Sequence, residues 1–393
     1  MGHSTTNYNL DQKFDFTAGL KKTIFTILII GAVILAAGIL TAALGGGHGD
    51  AHAEGGHAFH WYQRLYANLW INNVYFTGIA VIGVFFFAIQ YAAQAGWSAP
   101  LLRIFLSFGY WLPIAGIIMI ASYALIGHDI FHWTHKELFD LNSPEYDKII
   151  DGKGAFFFWP LEKGTFPAFF IIRMVVFFTA WVLFFNKLRK LSYQEDLNPG
   201  NQTWFQIRKW SALFLVFFAV SSSVSAWDWV MSIDTHWFST MFGWYMFASW
   251  HVTTYAVIVL AILYLKDKGL MAYVNENHLH DLGKFMFAFS IFWTYVWFEQ
   301  FLLIYYANLP EETIYFLERW EGYDKLYKSS EILMVILNFL LPFLVLMTRD
   351  AKRTRIFLKI AAFLIIAGHY IDFYQMIMPG VVGKHGGYGL VEF

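Results

Sequence analysis

Apolar runs of 18 residues or more recur along this chain from end to end. A run of that length can satisfy its backbone inside a bilayer only as a helix or within a closed barrel. Nine runs stand out, at about 23–44, 70–92, 101–126, 166–186, 208–230, 242–265, 284–307, 330–348 and 356–378. None alternates as a barrel strand does, and each is longer than the roughly 9–11 residues such a strand needs. The expected fold is therefore all-α: a polytopic transmembrane helix bundle with nine spans. The last residues, "GYGLVEF", read as the start of a further run. The first run is long enough to span, so it reads as a membrane helix rather than a cleavable signal peptide.

Composition agrees. Hydrophobic residues make up 58% and charged residues 14%, against roughly 25% charged in soluble domains. A net charge of -1 gives no electrostatic reason to bind nucleic acid. Cysteine is absent. The chain therefore holds no Cys-ligated iron–sulfur cluster, no C-x-x-C-H haem attachment and no disulfide. Any electron transfer it serves must run mostly through centres on partner chains.

Lysine and arginine set the expected orientation. With the N-terminus inside, 17 of the 27 fall on the inner side, concentrated in "NKLRKLSYQEDLNPGNQTWFQIRK" and "TRDAKRTRIFLK". The long loop 127–165 and the acidic loop "EETIYFLERWEGYDK" then lie outside, as solvated loops or docking surfaces. The outer stretch "GGGHGDAHAEGGHAFH" places His48 and His52 four apart, but its glycines favour a surface loop over a helical metal pair.

Ionisable groups inside spans cost roughly 2.5–3.5 kcal/mol on insertion scales, so each needs a partner or a purpose. Here they are Arg173, His251, Glu299, His369 and Asp372, with Asp228 at a span end. At 1.5 Å per residue the first five fall roughly 9–14 Å below the outer boundary, in one layer. His369 and Asp372 are three apart and share a face. Ser221, Ser225 and Asp228 form a stripe down the fifth span; Tyr295 and Glu299 are four apart on the seventh. A cavity lined by these faces would suit a proton pathway or a quinone headgroup. The plainer reading is interhelical hydrogen bonding, worth under about 2 kcal/mol per residue. Arg173 is expected to pair with a carboxylate. His251 and His369 match in depth, as a bis-imidazole haem would need, but each is a lone histidine without a glycine groove for the porphyrin.

"SAWDWVMSIDTHWFSTMFGWYMF", residues 225–247, resembles a segment of the membrane subunits of alternative complex III, a bacterial quinol:cytochrome c oxidoreductase. Those subunits belong to the NrfD, or polysulfide-reductase-like, family. Asp228, Trp229, Met231, Ser232, Asp234, His236, Trp237, Ser239, Thr240 and Gly243 carry the likeness. The resemblance implies two four-helix bundles with flanking helices. Residues 1–69 would be an N-terminal segment with the first span and outer loop, 70–231 one bundle, 232–378 the second, and 379–393 a tail. The chain is more similar to the shorter of the complex's two large membrane subunits, the F subunit.

The resemblance also implies a setting: a multi-pass protein of the bacterial inner membrane with its N-terminus cytoplasmic. Its partners would be an iron–sulfur protein, c-type cytochromes and a second NrfD-like subunit, which would carry the haems and clusters. It would have no redox centre of its own, with menaquinol, ubiquinol or lipid as possible non-covalent ligands. The expected role is a scaffold of the membrane arm that also conducts protons, rather than a self-sufficient enzyme. Two alternatives remain at this level: that the chain itself binds and oxidises quinol, and that it is an independent secondary transporter.

Overall fold

The computed structural model describes residues 14–45 and 60–392. Within them lie eleven α-helices: α1 (Ala18–Gly45), α2 (Tyr62–Ala92), α3 (Leu102–Ile130), α4 (Lys148–Phe158), α5 (Ala168–Leu197), α6 (Asn201–Trp229), α7 (Phe242–Asp267), α8 (Glu276–Ala307), α9 (Pro310–Trp320), α10 (Lys328–Val345) and α11 (Arg355–Val382). Among the described residues nine are long and apolar enough to cross a membrane, all but α4 and α9. The chain is a multi-pass membrane protein.

The spanning helices form two four-membered cycles. In the first, α2 packs on α3, α3 on α5, α5 on α6, and α6 returns to α2. In the second, α7 packs on α8, α8 on α10, α10 on α11, and α11 returns to α7. Contacts of α2 with α7 and α11, and of α6 with α7, join them. Burial follows from that placing: α2 and α7 each bury 78% of their most apolar window, whereas α1, outside both cycles, buries 6%. One end of the molecule carries α4, α9 and the segments around them; we call it the loop-rich end. The opposite, basic end carries the short connections 93–101, 198–200, 268–275 and 346–354.

Close packing replaces the hydrophobic drive that lipid removes between helices. The central helices approach where α2 has no side chain. A Cβ built on Gly78 would sit 1.8 Å from the indole of Trp250, which is fully buried. Cross-helix bonds to backbone fix the register: Trp70 Nε1 donates to Trp229 O (2.8 Å), and the Tyr75 hydroxyl donates to Ile366 O (3.0 Å). In α10 a π turn covers 336–340, just ahead of Pro342. Proline lacks an N–H and its ring crowds the carbonyl four residues back, here Asn338, so the wider turn relieves the clash.

Three expectations change. The loop 127–165 is a folded cap, not a solvated loop: Trp133 is buried and stacks on Phe157 of α4 at 4.0 Å. The acidic loop contains α9, whose Arg319 points inward and is 3% exposed. The tail continues α11 to Val382, and its later turns are held to α2 by Arg64 Nε on Glu392 (2.7 Å). His48 and His52 lie outside the described residues.

A Gly78→Ala change should lower the melting temperature of the purified protein in detergent, because overpacking costs about 1–3 kcal/mol. Adding Trp250→Phe should recover part of the loss. An unchanged melting temperature in the single variant would contradict this account of the central contact.

Candidate functional site

Each half of the molecule buries acids, and it compensates them differently. In the first half Arg173, on α5, meets Asp228, at the end of α6. Arg173 Nε lies 2.7 Å from Asp228 Oδ2 and Nη2 lies 2.8 Å from Oδ1, a bidentate pair. The third nitrogen, Nη1, donates to Phe156 O at 2.8 Å. The rings of Phe156 and Phe169 cover the guanidinium at 4.1 and 4.4 Å. The folded cap thus exists partly to seal this pair. Asp228 is fully buried and Arg173 nearly so. Every charged nitrogen has a partner, so the pair is a fixed structural element.

The serine stripe does not extend it. Ser221 accepts from Trp181 Nε1 (3.0 Å), and Ser225 donates to Ser222 O within its own helix (2.9 Å). Neither reaches the Asp228 carboxylate.

In the second half, Asp372 of α11 has no cationic arginine or lysine. Hydroxyl, indole and imidazole groups surround it. The Tyr245 hydroxyl donates to Oδ1. Ser249 Oγ (2.7 Å) and Trp293 Nε1 (2.9 Å) donate to Oδ2, where His369 Nδ1 also lies at 3.1 Å. Tyr245 and Ser249 are four apart on α7, Trp293 comes from α8, and His369 sits one turn before the acid; all four helical spacings point into one locus. Three of these contacts converge on Oδ2 and one on Oδ1. Asp372 and His369 are fully buried.

From Tyr245 the polar chain continues towards the loop-rich end. A cavity of about 20 Å³ is lined by Tyr245, Trp297, Gln300, Arg319, Glu331 and Gln375 among others. That is room for about one water, which needs 10–15 Å³. Glu331, 6% exposed, accepts from Trp297 Nε1 (3.1 Å) and Gln375 Nε2 (3.0 Å). Gln375 Oε1 is buried without a partner. Above it Arg319 donates to Gln375 O (3.2 Å) and to Asp234 Oδ2 (2.7 Å). Asp234 is 18% exposed, so this pair closes the cavity at the surface. Burial works to lower the pKa of Arg319, but Tyr315 and Asp234 outweigh it and hold the guanidinium above its usual value, fully charged. The Tyr315 ring lies 3.5 Å from the guanidinium carbon.

Towards the basic end, further buried polar atoms have no hydrogen-bond partner: His369 Nε2, both amide atoms of Asn338 and Ser290 Oγ. Asn338 lies in the π turn and presses on Gly368, whose added Cβ would come within 2.1 Å of its oxygen.

The common layer read from the sequence therefore separates. The structure brings His369 and Asp372 together, and Arg173 with Asp228. It does not bring in the others. Ser249 faces Asp372; His251, two residues on, is turned about 200° around the helix. Its Nε2 meets only Tyr255 Oη (3.2 Å), and Phe85, Phe247 and Phe289 surround the ring. His251 and His369 thus lie on opposite sides of α7 and do not face one another as haem ligands would. On α8, Trp293 and Trp297 point inward, so Tyr295 and Glu299 fall on the other side. Tyr295 is 59% exposed, and Glu299 is half-buried with no ion pair.

Asp234 and Trp237, two residues of the 225–247 segment, contribute an inward ion pair and a buried ring stacked on Tyr315 at 4.0 Å. Tyr245, Trp293, Glu331, Arg319 and Gln375 were not singled out. Glu331 and Asn338, seven apart on one face of the eighth span, were the signal that could have found the first.

Among the described residues no group of three or more His, Asp or Glu is placed to hold a metal ion. Neither the protein-family models nor the curated proteins contain a match to this chain.

Removing one partner of a buried ion pair costs about 3–5 kcal/mol, whereas replacing both with apolar groups can be neutral. Arg173→Met should therefore destabilise the protein strongly, seen as lost expression or a large drop in melting temperature. Arg173→Met with Asp228→Leu should restore much of it. Equal loss in single and double variants would refute a mainly electrostatic role for the pair.

Proposed function

We propose that this chain is an integral membrane subunit of a quinol-oxidising respiratory complex of the alternative complex III type, and that its second helix bundle carries a proton path. One observation supports the path above all: a buried carboxyl, Asp372, held by hydroxyl, indole and imidazole groups rather than by arginine or lysine, and linked through a hydroxyl and a water-sized cavity to a second buried acid, Glu331. An acid tied to arginine, as Asp228 is, is locked in a bidentate ion pair. An acid held by hydroxyl, indole and imidazole groups can take or release a proton, and Tyr245, Ser249 and His369 can pass one on. Asp234 and Arg319 stand where such a path meets the loop-rich side. The unpartnered atoms of His369, Asn338 and Ser290 would serve its continuation towards the basic end.

Membership in the complex rests on the 225–247 segment, on the absence of cysteine and on the two four-helix cycles. In this reading the haems and iron–sulfur clusters belong to an iron–sulfur protein, c-type cytochromes and a second NrfD-like subunit. The N-terminus and the basic end face the cytoplasm of a bacterial inner membrane. A quinol headgroup at Asp372 is not favoured, because a cavity of about 20 Å³ admits water and not a ring.

The test uses the assembled complex in proteoliposomes, with quinol-driven turnover and proton movement measured together. Asp372→Asn should reduce proton movement at least tenfold, and Glu331→Gln should reduce it severalfold, with assembly intact. Glu299→Gln should match the unaltered protein. Normal proton movement in Asp372→Asn would refute the path. Failure to copurify with haem- and iron–sulfur-bearing chains would refute the complex.

A further inference from the structure

A second cavity system lies away from the Asp372 site, on the side of α7 that carries His251. It has two parts. The larger, about 690 Å³, is an open groove between α2 and α8 floored by α7. Its walls are apolar and aromatic, including Phe85, Phe285, Ala288, Phe289 and Trp97. The smaller, about 370 Å³, lies at the basic end and is lined by Tyr91, Gln94, Glu195 and Trp204 among others. Gln90 and Ala95 line both, so the two cavities adjoin.

The polar mouth offers both signs of charge. Tyr91 Oη donates to Glu195 Oε2 at 2.5 Å, fixing the carboxylate. The Gln94 amide end lies 2.8 Å from both terminal nitrogens of Arg208, a placement that becomes a pair of hydrogen bonds when the amide oxygen is turned to the guanidinium, and the Trp204 ring lies 5.6 Å from the same guanidinium. Gln94 and Trp204, both lining residues, thus hold Arg208 at the rim. The groove interior offers nothing comparable. His251 backs it, but the imidazole is 3% exposed and its Nδ1 is buried behind phenyl rings.

We infer that this is a binding site for a diacyl phospholipid with a zwitterionic aminoethyl head. The acyl chain lies in the aromatic groove, the ammonium meets Glu195 and the phosphate meets Arg208. Polar recognition sits at the membrane surface and apolar recognition below it, as in a phospholipid. A quinone would need the reverse, hydrogen bonds to its ring inside the groove. The inference requires only that the chain spans a bilayer, and it stands apart from the proton path.

The full chain would be purified in mild detergent from membranes containing aminoethyl phospholipids, glycerol phospholipids and quinone. Retained lipid per mole of protein would then be measured by mass spectrometry. The expected result is about one aminoethyl phospholipid per chain, enriched over its share of the membrane. Ala288→Trp, which fills the groove, should cut total retained lipid at least fivefold. Glu195→Gln, at the surface, should lower the aminoethyl-to-glycerol ratio at least threefold, and Arg208→Gln should lower retention of both phospholipids at least threefold, each with an unchanged gel-filtration profile. They keep the proposal testable if Ala288→Trp does not fold. Enrichment of quinone instead, no lipid above the detergent-exchange background, an unaltered ratio in Glu195→Gln or unaltered retention in Arg208→Gln would overturn it.

Discussion

Everything polar in this molecule is arranged around one constraint: a charge or an unpaired dipole in hydrocarbon must be answered within the protein. The constraint explains features that would otherwise look unrelated. The loop-rich end is folded because it has charges to cover. The cap built on α4 supplies Phe156, whose carbonyl and ring complete the coordination of Arg173. On the second half α9 plays the matching part, delivering Arg319 beneath the surface to meet Asp234 and the carbonyl of Gln375. Packing obeys the same logic, since glycine at position 78 lets two central helices meet closely enough to exclude lipid.

The same constraint is met in two ways, and the difference separates structure from chemistry. Asp228 is met by a bidentate arginine, a solution that fixes charge pairing and geometry together. Asp372 is met by a phenol, an alcohol, an indole and an imidazole, three of which can themselves hand on a proton. Glu331 is held by an indole and an amide. A network of this kind tolerates a change of protonation that an arginine pair would resist.

The sequence made the helices legible because length and hydropathy alone specify them. All nine expected spans are present, with ends shifted by a few residues; α11, for instance, runs on to Val382. The pairing of Arg173 with a carboxylate and the shared face of His369 and Asp372 were also readable, the first from the cost of an unpaired charge, the second from helical spacing. Depth was readable, but azimuth was not. His251 and Glu299 sit at the right level and on the wrong side, each two residues from a group that does face the site, Ser249 and Trp297. A two-residue offset turns a side chain by about 200°, and one helix in isolation does not reveal which face its neighbours will cover. Arg319 was missed for another reason: in a loop of charged residues nothing marks the one that folds inward.

The central claim is that Asp372 exchanges a proton during function, whereas Asp228 is a structural ion pair. Infrared difference spectroscopy of the protein in lipid, recorded across a pH step in light and heavy water, tests it most directly. The account predicts protonated-carboxyl bands that shift in heavy water, one of which is lost in Asp372→Asn while all persist in Glu299→Gln. A spectrum with no such band, or one left unchanged by Asp372→Asn, would contradict it.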